Sequence, residues 1–177
     1  MTSLRFFAFG ALVAFAFVNV RPAAAQAPAA AAPAAAAPAG PPPAYGAPIT
    51  LDSAQKILAA AKEEADKQGW PVAIAVVDGA GFLVAFHRLD NTQLGSVEIS
   101  IAKARSAALF RRPTKVFEDI LAGGGSGQRV LKLEGAMPVD GGLPIVVDGK
   151  IVGAIGVSGV QSVQDAQVAT AGLAALK

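Results

Sequence analysis

The chain of 177 residues contains no cysteine, and it has only one histidine, one tryptophan and one tyrosine. The absence of cysteine excludes disulfides, thiolate metal sites, covalent c-type haem attachment and an N-terminal lipid-modified cysteine. Because His87 is the single histidine, any imidazole-ligated haem or metal and any histidine-based proton transfer must use that residue. The folded part of the chain must therefore be held together by its core alone.

Charged residues are few and nearly balanced, with 15 lysines and arginines against 13 aspartates and glutamates. Two of the cations, Arg5 and Arg21, lie in a segment that we expect to be removed, which leaves zero formal net charge on the remaining chain. A nucleic-acid-binding protein is expected to carry a basic patch. The charge balance therefore argues against nucleic acid as a partner.

The first 25 residues have the three parts of a secretory signal peptide. A short positive region ends at Arg5, an apolar run covers residues 6–20, and residues 23–25 are alanines that suit a signal peptidase. The apolar run is shorter than the ~20 residues that a membrane-spanning helix needs, and no later run is long enough to span. We therefore predict cleavage near Ala25, a secreted or periplasmic location, and no membrane span after processing.

Residues 26–48 consist almost entirely of alanine and proline. Repeated prolines remove backbone donors and block helix formation, while alanine offers little area to bury, so this segment is predicted to be a semi-extended linker. It is either a spacer that holds the domain away from a surface or a featureless leader. Residues 49–177 then form one domain, which is long enough to bury a hydrophobic core.

Hydrophobic periodicity in the domain predicts an α+β fold. Both faces of the first predicted hairpin are apolar, so helices must cover the sheet on both sides. Uninterrupted alternation along that hairpin places Leu83 and His87 on the same face. The predicted elements are helices at 50–68, 96–110, 114–121 and 162–176 and strands at 71–77, 82–88, 128–133, 143–147 and 150–157.

Three short motifs carry more local predictions. Asp148-Gly149 favours a type I′ turn between the last two strands, and the segment 162–165 resembles a capping box at the start of the final helix. The glycine-rich segment 123–127 lacks the lysine of a phosphate-binding loop. It is therefore interpreted as a mobile lid or hinge.

Four segments resemble the GlcG/HbpS-like family, also called the haem-degrading domain family. They are residues 76–90 (VVDGAGFLVAFHRLD), 101–104 (IAKA), 141–145 (GGLPI) and 153–159 (GAIGVSG), the last followed by Gln164-Asp165. The resemblance implies a profilin-like, three-layer α/β/α sandwich with a five-stranded antiparallel sheet, and assembly into symmetric homo-oligomers. It also implies a small-molecule ligand, since characterised relatives bind haem outside the cell or in the periplasm.

The candidate cofactor-binding residues are His87, Lys103 and Arg105. His87 is the candidate ligand of a metal or of haem iron, and the two cations would pair with haem propionates, although surface salt bridges are the alternative for each. Met137 and Tyr45 are the other conventional axial ligands. Relatives often carry Gly-Gly-His after the aspartate of the first strand, and residues 79–82 (GAGF) lack that histidine.

The sequence contains no nucleophile motif and no spaced set of metal ligands, so the residues do not point to an enzyme. The principal hypothesis is an exported protein that binds haem or a similar planar molecule carrying carboxylates. The alternatives are an enzyme or accessory protein that acts on a short hydroxy or keto acid, as the glycolate gene context of some relatives implies, and an oligomeric scaffold without a ligand.

Overall fold

The computed structural model describes residues 40–176. The predicted signal peptide, residues 1–25, and residues 26–39 of the predicted linker lie outside the described residues. No helix within 40–176 has the length and apolar character needed to cross a membrane. The elements are β1 (Ala44–Tyr45), α1 (Leu51–Gln68), β2 (Ala73–Asp78), β3 (Leu83–Arg88), α2 (Ser96–Phe110), α3 (Lys115–Ala122), β4 (Gly142–Val147), β5 (Lys150–Ser158) and α4 (Ser162–Leu173), with 3₁₀ segments at Gly125–Lys132 and Ala174–Leu176.

The strands form one five-stranded sheet between two layers of helices. β5 pairs antiparallel with β4 on one side and with β2 on the other, and β3 pairs antiparallel with β2. Helices α1 and α4 pack on the face that contains Ile74 and Val76, and α2 packs on the opposite face against Ala75 and Val77. The predicted three-layer sandwich is confirmed, and its sheet is antiparallel except for one parallel pair, β1 with β5.

The fifth strand comes from a different part of the chain than predicted. Residues 128–133 were expected to form a strand, and this prediction is wrong because they belong largely to a 3₁₀ segment. Gly124 and Gly125 adopt positive φ angles of 65° and 53°, which turn the chain back towards α3. A Cβ on Gly127 would lie 2.0 Å from the Ile120 carbonyl oxygen, so the glycine-rich segment packs closely on the end of α3.

Strand β1 lies within the predicted linker and is anchored to the domain by Tyr45. Its phenol donates to the carbonyl oxygens of Ala108 and Leu109 at 3.1 and 3.0 Å, and Arg111 stacks over its ring. These contacts supply a donor to carbonyls in the last turn of α2, where the regular helical hydrogen bonds end. The sheet therefore includes two residues from the segment predicted to be linker.

Local turn and cap chemistry explains where several elements begin and end. Asp148 and Gly149 both have positive φ, 49° and 71°, which confirms the type I′ turn between β4 and β5. Between β2 and β3, one oxygen of the Asp78 carboxylate accepts two backbone N–H groups and closes the turn. The capping box of α4 is formed by Gln161 and Gln164, one residue earlier than the sequence pattern indicated.

Helix α2 lies unusually close to the sheet because glycines face it. A Cβ on Gly156 would lie 2.1 Å from the Ser100 carbonyl oxygen and 2.4 Å from the Ala104 nitrogen. A Cβ on Gly142 would lie 2.5 Å from the Lys103 carbonyl oxygen. The helix backbone therefore rests almost directly on the backbone of β4 and β5.

Candidate functional site

Lys103, predicted to bind a ligand carboxylate, is instead buried inside the domain. Its side chain is 1% exposed, and its ammonium lies 2.8 Å from an Asp165 carboxylate oxygen and donates to the Val157 carbonyl oxygen at 2.9 Å. A buried charge is tolerated only when it is paired and hydrogen-bonded. Lys103 therefore joins α2 to α4 around the end of the sheet and presents no free donor at the surface.

The carboxylate of Asp165 is the centre of this buried network. One oxygen binds Lys103 and the other accepts the Val160 backbone N–H at 3.2 Å. Burial raises the pKa of the Asp165 carboxyl above its usual value, and the hydrogen bond and charge of Lys103 oppose that rise. Gly141 leaves room for the pair, since a Cβ there would lie 2.9 Å from the Asp165 Cβ and 3.0 Å from the Lys103 Nζ.

His87 lies exposed near the end of β3 on the α1 side of the sheet. Its cross-strand partner is Ile74, which belongs to the core beneath α1 and α4. Arg105 is exposed on α2, which covers the opposite face. The structure therefore does not bring His87, Lys103 and Arg105 together into one site.

A β-bulge explains why the residues of β3 alternate differently than predicted. Val76 pairs with Ala85 whereas Val77 pairs with Leu83, so Val84 is the extra residue. The bulge moves Leu83 to the α2 side while His87 stays on the α1 side. The prediction that these two side chains share a face is wrong, because one inserted residue reverses the alternation.

A concave surface lies between the end of α1 and the residues that follow β3. The cleft has a volume of about 440 Å³, within the range of small-molecule sites. Its lining includes the half-buried indole of Trp70 and the apolar side chain of Leu89. It also includes two cations and two carboxylates, Lys62, Arg88, Asp66 and Asp90. It therefore combines an aromatic surface with groups that bind carboxylates.

The end of α1 fixes one wall of this cleft. Gly69 ends the helix in the left-handed conformation, with φ 68°, and its N–H donates to Asp66. The Trp70 backbone N–H donates to the Ala65 carbonyl oxygen at 2.9 Å. The sequence analysis did not identify Trp70 as a candidate site residue. Trp70 is the only tryptophan, and it lies just after the predicted end of the first helix at residue 68.

His87 directly precedes two residues that line the cleft, Arg88 and Leu89. The Leu89 N–H donates to the Val72 carbonyl oxygen, so the β2–β3 pairing continues past the end of β3. Side chains two residues apart in a strand point to the same face, separated by about 7 Å along the strand. His87 is therefore on the same side of the sheet as Leu89, although it is not itself among the residues that line the cleft.

These residues fit haem better than a bare metal ion. No cluster of three or more histidine, aspartate or glutamate side chains that could hold a metal occurs in the described part of the chain. Haem needs fewer protein ligands, because the porphyrin supplies four nitrogens and the protein adds one or two axial groups. An exposed imidazole, an indole surface and two cations match the iron, the macrocycle and the propionates of haem.

The two other candidate axial ligands have different surroundings. The Tyr45 phenol is hydrogen-bonded to the last turn of α2. Met137 is half-buried, and its backbone N–H donates to Ser106 on α2. Of the three candidates, only His87 is adjacent in sequence to a residue that lines the cleft, Arg88.

Comparison with known proteins gives consistent matches over this domain. Residues 49–174 match the family described as haem degrading protein HbpS-like. Protein GlcG of Escherichia coli K12 is 46% identical over 105 residues, which cover 59% of this chain and 77% of GlcG.

Two solved structures have the same architecture. The crystal structure of HbpS superposes with a TM-score of 0.69 at 33% identity, covering 75% of this chain and 92% of that chain. The crystal structure of a PduOC:haem complex superposes with a TM-score of 0.66 at 25% identity, covering 72% and 94%. The family match and the structural matches thus agree on the same architecture for most of the described residues.

Proposed function

Because the chain belongs to the family described as haem degrading protein HbpS-like, we propose that it binds haem, or a similar planar molecule with carboxylates, in the cleft between α1 and β3. The observation that carries this proposal is the position of the only histidine, which is exposed and directly precedes Arg88 and Leu89 in the lining of the cleft that contains the only tryptophan. One structural relative is a PduOC:haem complex, which supports the same ligand class.

Each part of the ligand has a corresponding group. The His87 imidazole would ligate the iron, and the Trp70 indole and Leu89 would contact the macrocycle. Arg88 and Lys62 would bind the propionates, and Lys62 would exchange its present partner, Asp66, for the ligand. When bound, haem would supply the redox-active iron, and the chain's own residues would hold and orient it.

We also propose that the domain acts outside the cytoplasm, after cleavage near Ala25. The composition of residues 1–25 supports export. The domain has no disulfide to form because it has no cysteine, so its stability would not depend on the redox state of the compartment.

The alternative predicted from the sequence, an enzyme acting on a short hydroxy or keto acid, would use the same cations to bind a carboxylate. The cleft is larger and more aromatic than such a ligand requires, and this favours haem. Turnover of glycolate by the purified chain, with no change in its spectrum when hemin is added, would support the alternative.

Hemin titrated into the purified mature chain is expected to give a shifted, saturable Soret band. Replacing His87 with alanine should move the band position and weaken binding by at least about tenfold, because it removes the nitrogen that ligates the iron. The matched control is Gln93→Ala, an exposed polar residue in the following loop, which should bind as the wild type does. An unshifted hemin spectrum, or a His87→Ala variant identical to the wild type, would contradict the proposal.

A further inference from the structure

The outer face of α2 carries a row of side chains that point away from the sheet. Leu94, in the turn that leads into α2, and Glu98, Ala102, Arg105 and Leu109 on the helix recur at helical spacing, and we call them the α2 outer stripe. Leu94 is 77% exposed and Leu109 is 44% exposed. The buried residues of α2, among them Ser100, Ala104 and Ala107, face the sheet instead.

The order of side chains along this stripe is symmetric. Glu98 and Arg105 are equidistant from the midpoint between Ile101 and Ala102, and Leu94 and Leu109 are equidistant from the same point. The two charges are opposite in sign and the two outer residues are both leucine. An antiparallel copy of the same stripe therefore presents Arg105 opposite Glu98 and Leu109 opposite Leu94.

We propose that the α2 outer stripe is the surface through which two copies of this chain pair about a two-fold axis. An isologous interface must be self-complementary, because each residue contacts its counterpart in the other copy in both directions. Glu98 would pair with the partner's Arg105, and Leu94 would pack against the partner's Leu109. The small side chain of Ala102 at the axis allows the two helices to approach closely.

The surface next to the stripe extends the apolar contact. Phe82 is 70% exposed and Leu83 is 50% exposed. A Cβ at the neighbouring Gly81 would lie 3.6 Å from the side chains of both Arg105 and Leu109, which places this turn beside the stripe. An exposed apolar patch of this kind, crossed by charged residues, is typical of a protein–protein interface.

This surface is separate from the proposed haem cleft. The cleft lies on the α1 side of the sheet and the stripe lies on α2, which covers the opposite face. Arg105, predicted from the sequence to bind a cofactor, is assigned to the interface. Pairing of copies and haem binding can therefore fail independently of each other.

Reversal of charges tests the interface directly. Sedimentation analysis of the purified mature chain should show a dimer or a multiple of it. Because the two-fold axis repeats each contact, Glu98→Arg and Arg105→Glu each create two contacts between like charges. Each should weaken the affinity of the two copies for one another about 100-fold. The double variant restores both ion pairs in the reverse direction and should recover pairing, while Arg129→Glu, an exposed charge far along the chain, should leave it unchanged.

A chain without cysteine also permits a clean cross-linking test. Ala102→Cys lies next to the axis and should give a disulfide-linked dimer on mild oxidation, whereas Ser126→Cys, exposed in the 3₁₀ segment, should not. A wild-type chain that sediments only as a monomer overturns the proposal. An oligomer that neither single charge reversal dissociates would also overturn it. So would a double variant that stays dissociated although its circular dichroism spectrum shows a native fold.

Discussion

Asp165→Ala is expected to lower the free energy of unfolding by about 3–5 kcal/mol, the usual cost of leaving one member of a buried ion pair without its partner. The Lys103 ammonium would remain inside the domain with the Val157 carbonyl oxygen as its remaining acceptor. The Val160 backbone N–H would lose its acceptor as well. Urea unfolding followed by circular dichroism measures the change.

Two further variants show whether this loss comes from the unpaired charge. Replacing both members together, Lys103→Met with Asp165→Leu, removes the charges and is expected to recover most of the stability, because apolar residues can replace a buried pair. Asp52→Ala breaks an exposed pair with Lys56 and should scarcely change stability. If Asp165→Ala were no more destabilising than Asp52→Ala, the network would not hold α2 and α4 together.

Gly156→Ala is expected to destabilise the domain by about 3 kcal/mol or more, at the upper end of the range for overpacking. The added methyl group would lie 2.1 Å from the Ser100 carbonyl oxygen and 2.4 Å from the Ala104 nitrogen, both of them backbone atoms of α2. Backbone cannot rotate away as a side chain can, so the whole helix would have to move off the sheet. Thermal unfolding should show a large fall in the midpoint.

Gly95→Ala is the matched control for this substitution. Gly95 precedes the same helix with φ −61°, and a Cβ there would have no atom within 4 Å. The stability of Gly95→Ala should therefore stay close to that of the wild type. A Gly156→Ala domain as stable as Gly95→Ala would mean that α2 does not rest on the sheet as described.

Elements with local signals could be predicted from the sequence. Thr50 caps α1 with its side-chain oxygen and Gly69 ends it. A threonine before an apolar helical pattern and a glycine after it are common signals for the two ends of a helix. The Asp148-Gly149 turn fixes the β4–β5 hairpin in the same way. The two apolar faces of β2 were enough to predict helices on both sides of the sheet.

The remaining features depend on contacts between distant parts of the chain. Strand β1 has only two residues and is defined by the pairing of Tyr45 with β5 and its bonds to α2. Lys103 looks like an ordinary helix lysine in the sequence, because its partner Asp165 is 62 residues away. The bulge at Val84 has no marker such as glycine, so alternation alone could not reveal it.

The structure also changes the meaning of the family motifs. Gly141, Gly142 and Gly156 are required for close packing, Asp78 closes a turn, and Lys103 with Asp165 forms the buried pair. These roles maintain the fold. Sites vary on a shared fold more readily than the packing does. We propose that the ligand contacts fall on Trp70, outside the four motifs, and on His87 and Arg88 near the end of the first motif.

Hydrogen–deuterium exchange with and without hemin tests most directly where the ligand binds. The cleft proposal predicts new protection of the backbone in two segments, residues 62–71 at the end of α1 and residues 87–91 at the end of β3 and just beyond it, with no added protection along α2. Hemin-dependent protection confined to the α2 outer stripe, or a bound complex with neither cleft segment protected, would contradict the assignment of the cleft as the haem site.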